Sequence, residues 1–125
     1  MYLLREGDIS WVPAVDIYET KNQWLVYIEL PGVSSDDIDL TVYPESILIK
    51  GTKTPPAREL SAEKIEIYTG YFHREIHIPG RICMSEVTAS MKNGVLSLIL
   101  PAEKQKSIRI PVSRPGEPVE IEKGD

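Results

Sequence analysis

The chain has 125 residues, 10 prolines, 8 glycines and a formal net charge of −5. That length supports one domain with a real core and is too short for two comfortable ones. The acidic balance gives no electrostatic footprint for nucleic acid, which wants a basic face. No run approaches the roughly 18 apolar residues of a membrane span, and the start lacks the basic and apolar regions of a signal peptide. The single cysteine, Cys83, excludes an internal disulfide and fits a reducing compartment. A soluble, cytoplasmic protein is expected.

Residues 1–12 hold Tyr2, Leu3, Leu4 and Ile9 without periodicity, and read either as a short sticky arm or as ordinary terminal disorder. Val15 and Ile17 then alternate with Asp16 and Tyr18, a modest strand signal, and Lys21-Asn22 turns the chain. Trp24, Val26, Ile28 and Leu30 share one face of a second strand, which Pro31-Gly32 ends. Ser34 to Asp37 looks like a helix N-cap, but no helical period follows it. Ile38, Leu40 and Val42 instead alternate with Asp39, Thr41 and Tyr43, which predicts a strand. Ile47, Leu48 and Ile49 begin another that ends at Gly51. Short strands at this spacing, punctuated by Pro and Gly, are the pattern of an all-β sandwich.

Residues 52–69 break that rhythm, and loops of such length usually have a job. Within them Ile65 and Ile67 alternate with charged residues from Glu63 to Tyr68. Such a strand either reaches the edge of another subunit or forms a local hairpin with a sequence neighbour. Phe72, Ile76 and Ile78 next share a face opposite Tyr71, His73, Glu75 and His77. Arg74 falls on the apolar face, so it must be paired or lie at a strand end or interface.

Pro79-Gly80 leads into a hairpin. Val87, Ala89 and Met91 alternate with Thr88, Ser90 and Lys92. Asn93-Gly94 supplies the two positive-φ positions of a type I′ turn. Val95 to Leu100 is almost wholly apolar, as expected of a central strand covered on both faces. After the polar linker Glu103 to Lys106, Ile108, Ile110 and Val112 alternate sharply, and Val119-Glu120-Ile121 repeats the form more weakly. A three-residue strand after a linker cannot carry a sheet. It reads as a peg docking in a groove or edge, or as a frayed last strand.

Catalytic signals are thin. His73 and His77 lie about 13 Å apart on a strand, too far for zinc–nitrogen bonds of about 2 Å to join them in one site. Cys83 has no protease signature around it and reads as a small buried apolar residue. Asp36-Asp37 fits a solvated turn, and no glycine cluster opens a helix to hold phosphate. No enzyme, metal or cofactor is expected.

Ala89-Ser-Met-Lys-Asn-Gly-Val-Leu96 resembles the A-x-x-x-N-G-V-L signature of the α-crystallin domain of small heat shock proteins. Pro13 to Glu19 is similar to that family's opening P-x-x-D-[IV]-x-E strand, and Leu30-Pro-Gly-Val33 with Ile38 to its L-P-G turn. Gly70 to Arg74 with Pro79 resembles its G-x-F-x-R…P segment, and Ile108-Arg-Ile110 its I-x-I motif. Five motifs in order across residues 13–110 make a specific signal.

The resemblance implies an immunoglobulin-like antiparallel β-sandwich at 13–102, a dimerisation loop at 52–69 and a C-terminal extension at 103–125. In the bacterial and plant branch the loop carries a strand exchanged with the partner of a homodimer. Ile65, Ile67, Tyr68 and Arg74 are thereby expected at the dimer contact, with Arg74 structural. Ile108 and Ile110 are expected to dock in a groove of a neighbouring dimer lined by Leu40, Val42, Val87, Ala89 and Met91. Asn93, Gly94, Val95 and Leu96 are the hairpin signature. The implied activity is ATP-independent holding of unfolding client proteins. About a dozen residues precede the first strand, where family members carry a longer apolar arm, so the dimer is expected more firmly than a large assembly. The alternatives are a non-chaperone interaction sandwich like the co-chaperone CS domains, or a co-assembling subunit with weak client binding. The long loop and the I-x-I peg argue against the CS-domain reading.

Overall fold

The computed structural model describes residues 11–57, 59–104 and 107–116. Among these, strands β1 (Val15–Glu19), β2 (Gln23–Glu29), β3 (Ile38–Val42), β4 (Ser46–Lys53), β5 (Gly70–His77), β6 (Thr88–Lys92) and β7 (Val95–Pro101) make two antiparallel sheets. One runs β1-β2-β7-β6 and the other β3-β4-β5. The expected all-β sandwich is what forms.

Strand parity decides the core. Trp24, Val26, Ile28 and Leu30 are buried from one sheet along with Leu96, Leu98 and Leu100, and Ile47, Ile49, Phe72, Ile76 and Ile78 from the other. Alternate residues of a strand point to opposite faces, so β2 and β7 bury every second side chain while Tyr27 and Glu29 stay in solvent. Burial of each large apolar side chain contributes roughly 1.5–3 kcal/mol. The chain crosses from β2 to the second sheet through Pro31-Gly32, where Gly32 has φ 75°. Ser34 then caps a single 3-10 turn, Ser35–Asp37, its side chain accepting from the Asp36 amide. The N-cap signal was therefore real, but it served one turn before β3.

The β6–β7 hairpin has Asn93 at φ 52° and Gly94 at φ 76°, as a type I′ turn requires. The Gly94 carbonyl accepts from the Leu30 amide at 2.7 Å, which ties the hairpin tip to the Pro31-Gly32 turn. Strand β7 is central, between β2 and β6. Only one of its faces is covered: Ile99 is 41% exposed. A nearly continuous apolar run cannot show whether anything covers its second face, and among the described residues no sheet does.

The sheets are fastened along one margin. Trp11 bridges to Phe72 in parallel, and Arg74 Nη1 donates to the Pro13 carbonyl at 2.8 Å. These contacts lay the start of β1 along β5, which leaves β3 and β6 as edge strands of the opposite margin.

Candidate interaction surfaces

The first surface lies at the β3–β6 margin. Leu40 pairs with Ile49 and Val42 with Ile47, while Ala89 pairs with Leu98 and Met91 with Leu96. Directly paired residues share a face, so these four side chains point inward from edge strands that have no further strand beside them among the described residues. Leu40, Val42, Val87 and Met91 are half-buried and packed against the core. Ala89 is exposed. Val87 stands just ahead of β6, at the end of the 3-10 turn Met84–Glu86. The inner rows of the two sheets are therefore only half covered where they end at β3 and β6.

The second surface is the segment between β4 and β5. Residues 54–69 contain no strand among the described residues, so Glu63 to Tyr68 makes no local hairpin. Ile65, Ile67 and Tyr68 are 74%, 63% and 73% exposed, and its Lys64–Glu66 ion pair (3.3 Å) is on the surface. Strand β4 runs on to Lys53 rather than ending at Gly51, so the departing loop is shorter than the sequence suggests.

Past β7 the described residues 107–114 form no regular element. Ile108, Ile110 and Val112 are 67%, 77% and 92% exposed and form no strand among the described residues. The weaker repeat at Val119 to Ile121, and the residues 1–10 read as an arm, lie outside the described residues.

Arg74 is half-buried on the inner side of β5. Its pairing with the Pro13 carbonyl explains how a guanidinium is tolerated on an apolar face: a charged donor meets a backbone acceptor of a fully buried proline. The contact is made within one chain. Trp11 was missed as a site residue. Its only sequence cue was an aromatic two positions before Pro13, ahead of the first periodic strand. Cys83 is half-buried, with Sγ 3.7 Å from Ser85 Oγ. It sits beside a surface turn rather than in the core, against expectation. His73 and His77 lie on the outer face of β5, paired across to Lys50 and Ser46. Among the described residues no group of three His, Cys, Asp or Glu side chains could hold a metal, and no helix is long and apolar enough to cross a membrane. A surface depression lies between Trp24, Gly80, Arg81 and Glu103, at neither apolar surface.

Two antiparallel sheets with half-covered apolar side chains at one margin and exposed alternating isoleucines in the segments outside them define an all-β sandwich. The chain belongs to the Hsp20/alpha crystallin family, whose profile matches residues 16–113. It is 34% identical over 104 residues to small heat shock protein C4 of Rickettsia felis, covering 81% of this chain and 64% of that protein. It is 35% identical over 100 residues to spore protein SP21 of Stigmatella aurantiaca, covering 78% and 59%. Among solved structures, a small heat-shock protein from Xylella fastidiosa superposes with a TM-score of 0.71 at 33% identity, over 84% of this chain and 99% of that one. The chain thus spans about three fifths of the length of the curated relatives it matches.

Proposed function

We propose that this protein is a non-catalytic, ATP-independent holdase of the cytoplasm, built from dimers. The observation that carries this is the loop at residues 54–69, which offers Ile65, Ile67 and Tyr68 to solvent in a segment that joins neither sheet among the described residues. Burying three such side chains is worth roughly 1.5–3 kcal/mol each, and a free strand edge is the natural place to do so. Strand β1 has no neighbour on its outer side among the described residues, and a partner's Glu63 to Tyr68 segment fits along it. In the same reading, Ile108 and Ile110 dock into the Leu40, Val42, Val87, Ala89 and Met91 groove of another dimer. Membership of the Hsp20/alpha crystallin family supports both contacts. The distinct high order structure of the Xylella fastidiosa small heat-shock protein, at 33% identity, supports an oligomer.

An unfolding client presents the same apolar, strand-prone chemistry as these pegs and loops. The protein would bind such chains and lower the concentration free to aggregate, without turning anything over. The test is a heated client followed by turbidity, without nucleotide, in the presence of size-separated fractions of the protein. Suppression that tracks the oligomer or dimer peak is expected. Client aggregation at the same rate with and without equimolar protein refutes the holdase.

A further inference from the structure

Trp11 touches both roots of the loop at residues 54–69. Its indole N–H donates to the Gly70 carbonyl at 3.1 Å, where the chain re-enters β5. Its ring packs on Phe72 with centroids 5.0 Å apart and planes at 53°. Lys53, the last residue of β4, holds Nζ 5.8 Å from the centre of the same ring. Lys53 and Gly70 are themselves cross-strand partners. A single side chain thereby closes the stem from which the loop springs. Gly70 has φ 97°, a conformation that L side chains rarely adopt, so the loop returns to the sheet through a specialised joint. The indole N–H is bonded at that joint.

We propose that Trp11 is a positioning residue for the dimerisation loop: a staple that fixes the loop's stem and couples the chain ahead of β1 to dimer formation. The inference rests on reading Glu63 to Tyr68 as the exchanged strand. A loop free to point in many directions presents a low effective concentration of its strand to a partner, and ordering it costs free energy at the moment of binding. Holding both roots removes part of that cost in advance. Coupling between two sites is reciprocal. A partner that draws Trp11 off the stem therefore weakens the dimer, and dimerisation strengthens the hold of the stem on Trp11.

Simple core packing would make a different prediction. A ring that only fills space lowers the stability of the whole sandwich when removed, and does not single out the loop. Trp11→Phe keeps an aromatic ring against Phe72 and under Lys53 but removes the donor to Gly70. Hydrogen exchange on the intact dimer should show amides of residues 61–70 exchanging about fivefold faster, the factor one hydrogen bond of ordinary net strength carries. The dimer dissociation constant, from sedimentation, should rise by a similar factor, with β2 and β7 protected as in the parent. Lys53→Met leaves the core untouched and should give the same pattern at about twofold, as for an exposed cation over a ring. Unchanged loop exchange in both variants, or protection lost equally in β2, β7 and the loop, overturns the staple. Deleting residues 63–68 separates the two readings. A dimer that survives the deletion refutes the exchanged strand, and loop exchange rates in the point variants then decide the staple alone.

Discussion

Replacing Ile108 and Ile110 together by alanine should convert larger assemblies into dimers. Each substitution removes three carbons, about 2.4 kcal/mol at full burial by the value per methylene. The two side chains are 67% and 77% exposed in the single chain. Docking can therefore bury roughly seven-tenths of that, or about 1.7 kcal/mol each and about 3.5 kcal/mol per peg. That corresponds to about 400-fold in the affinity of one peg for one groove. The proposed dimer contact uses Ile65, Ile67 and Tyr68 instead, so it should be unaffected. Light scattering behind size exclusion, run across a tenfold range of concentration, reads both levels at once. The expected result is a single dimer mass at every concentration. A mass distribution unchanged from the parent would show that the pegs do not hold the assembly together.

Deleting Glu63 to Tyr68 should give folded monomers by sedimentation, with the far-ultraviolet spectrum of an intact sandwich; a persisting dimer points to another interface. Gly51→Ala should destabilise by about 1–3 kcal/mol, the usual penalty of overpacking. A Cβ there would press on the Asp37 carbonyl oxygen and lie 2.7 Å from Phe72 Cζ. A urea midpoint equal to the parent's would refute that crowding. Arg74→Met should cost about 1–3 kcal/mol by leaving the Pro13 carbonyl without its charged donor. If instead stability holds while the dimer falls apart, Arg74 acts between subunits rather than within one.

Sequence periodicity reveals which way a side chain points, and less about what stands opposite it. Parity assigned Trp24, Val26, Ile28 and Leu30 to the core, and all four are buried. Asn93-Gly94 fixed the hairpin because its φ requirement is local and few residues meet it. The two sheets are another matter. Nothing local tells β2 to pair with β7 rather than β3, since that choice is made by packing between residues about 70 positions apart, such as Val26 and Leu98. The same limit explains Ile99, where hydrophobicity was visible but a cover for the outer face was only inferred. Trp11 escaped for a related reason: its partners Phe72 and Gly70 lie far along the chain, and an isolated bridge leaves no periodic trace. Gly51 shows the opposite case. It read as a strand end, but it sits within β4 because the Phe72 ring and the 3-10 turn need the space.

The proposed contacts differ in strength, and that difference bears on how a holdase would be switched. A peg whose two isoleucines supply about 3.5 kcal/mol by burial, before the cost of association is met, makes only a weak contact on its own. Such a contact can hold an assembly only when several pegs act together at high effective concentration. The proposed loop exchange would be stronger, since it would combine three large apolar side chains with a ladder of backbone hydrogen bonds along β1. Heating or dilution should therefore open peg contacts before dimers. In this reading peg release would bare the half-buried Leu40, Val42, Val87 and Met91, while Leu98 and Val26 stay covered. Apolar surface would then appear without unfolding of the domain that bears it. Because several weak contacts must fail together, its appearance should be steep in temperature and in concentration. If client suppression instead rises smoothly with temperature in the parent and is unchanged in the Ile108→Ala, Ile110→Ala variant, the groove is not the switched surface.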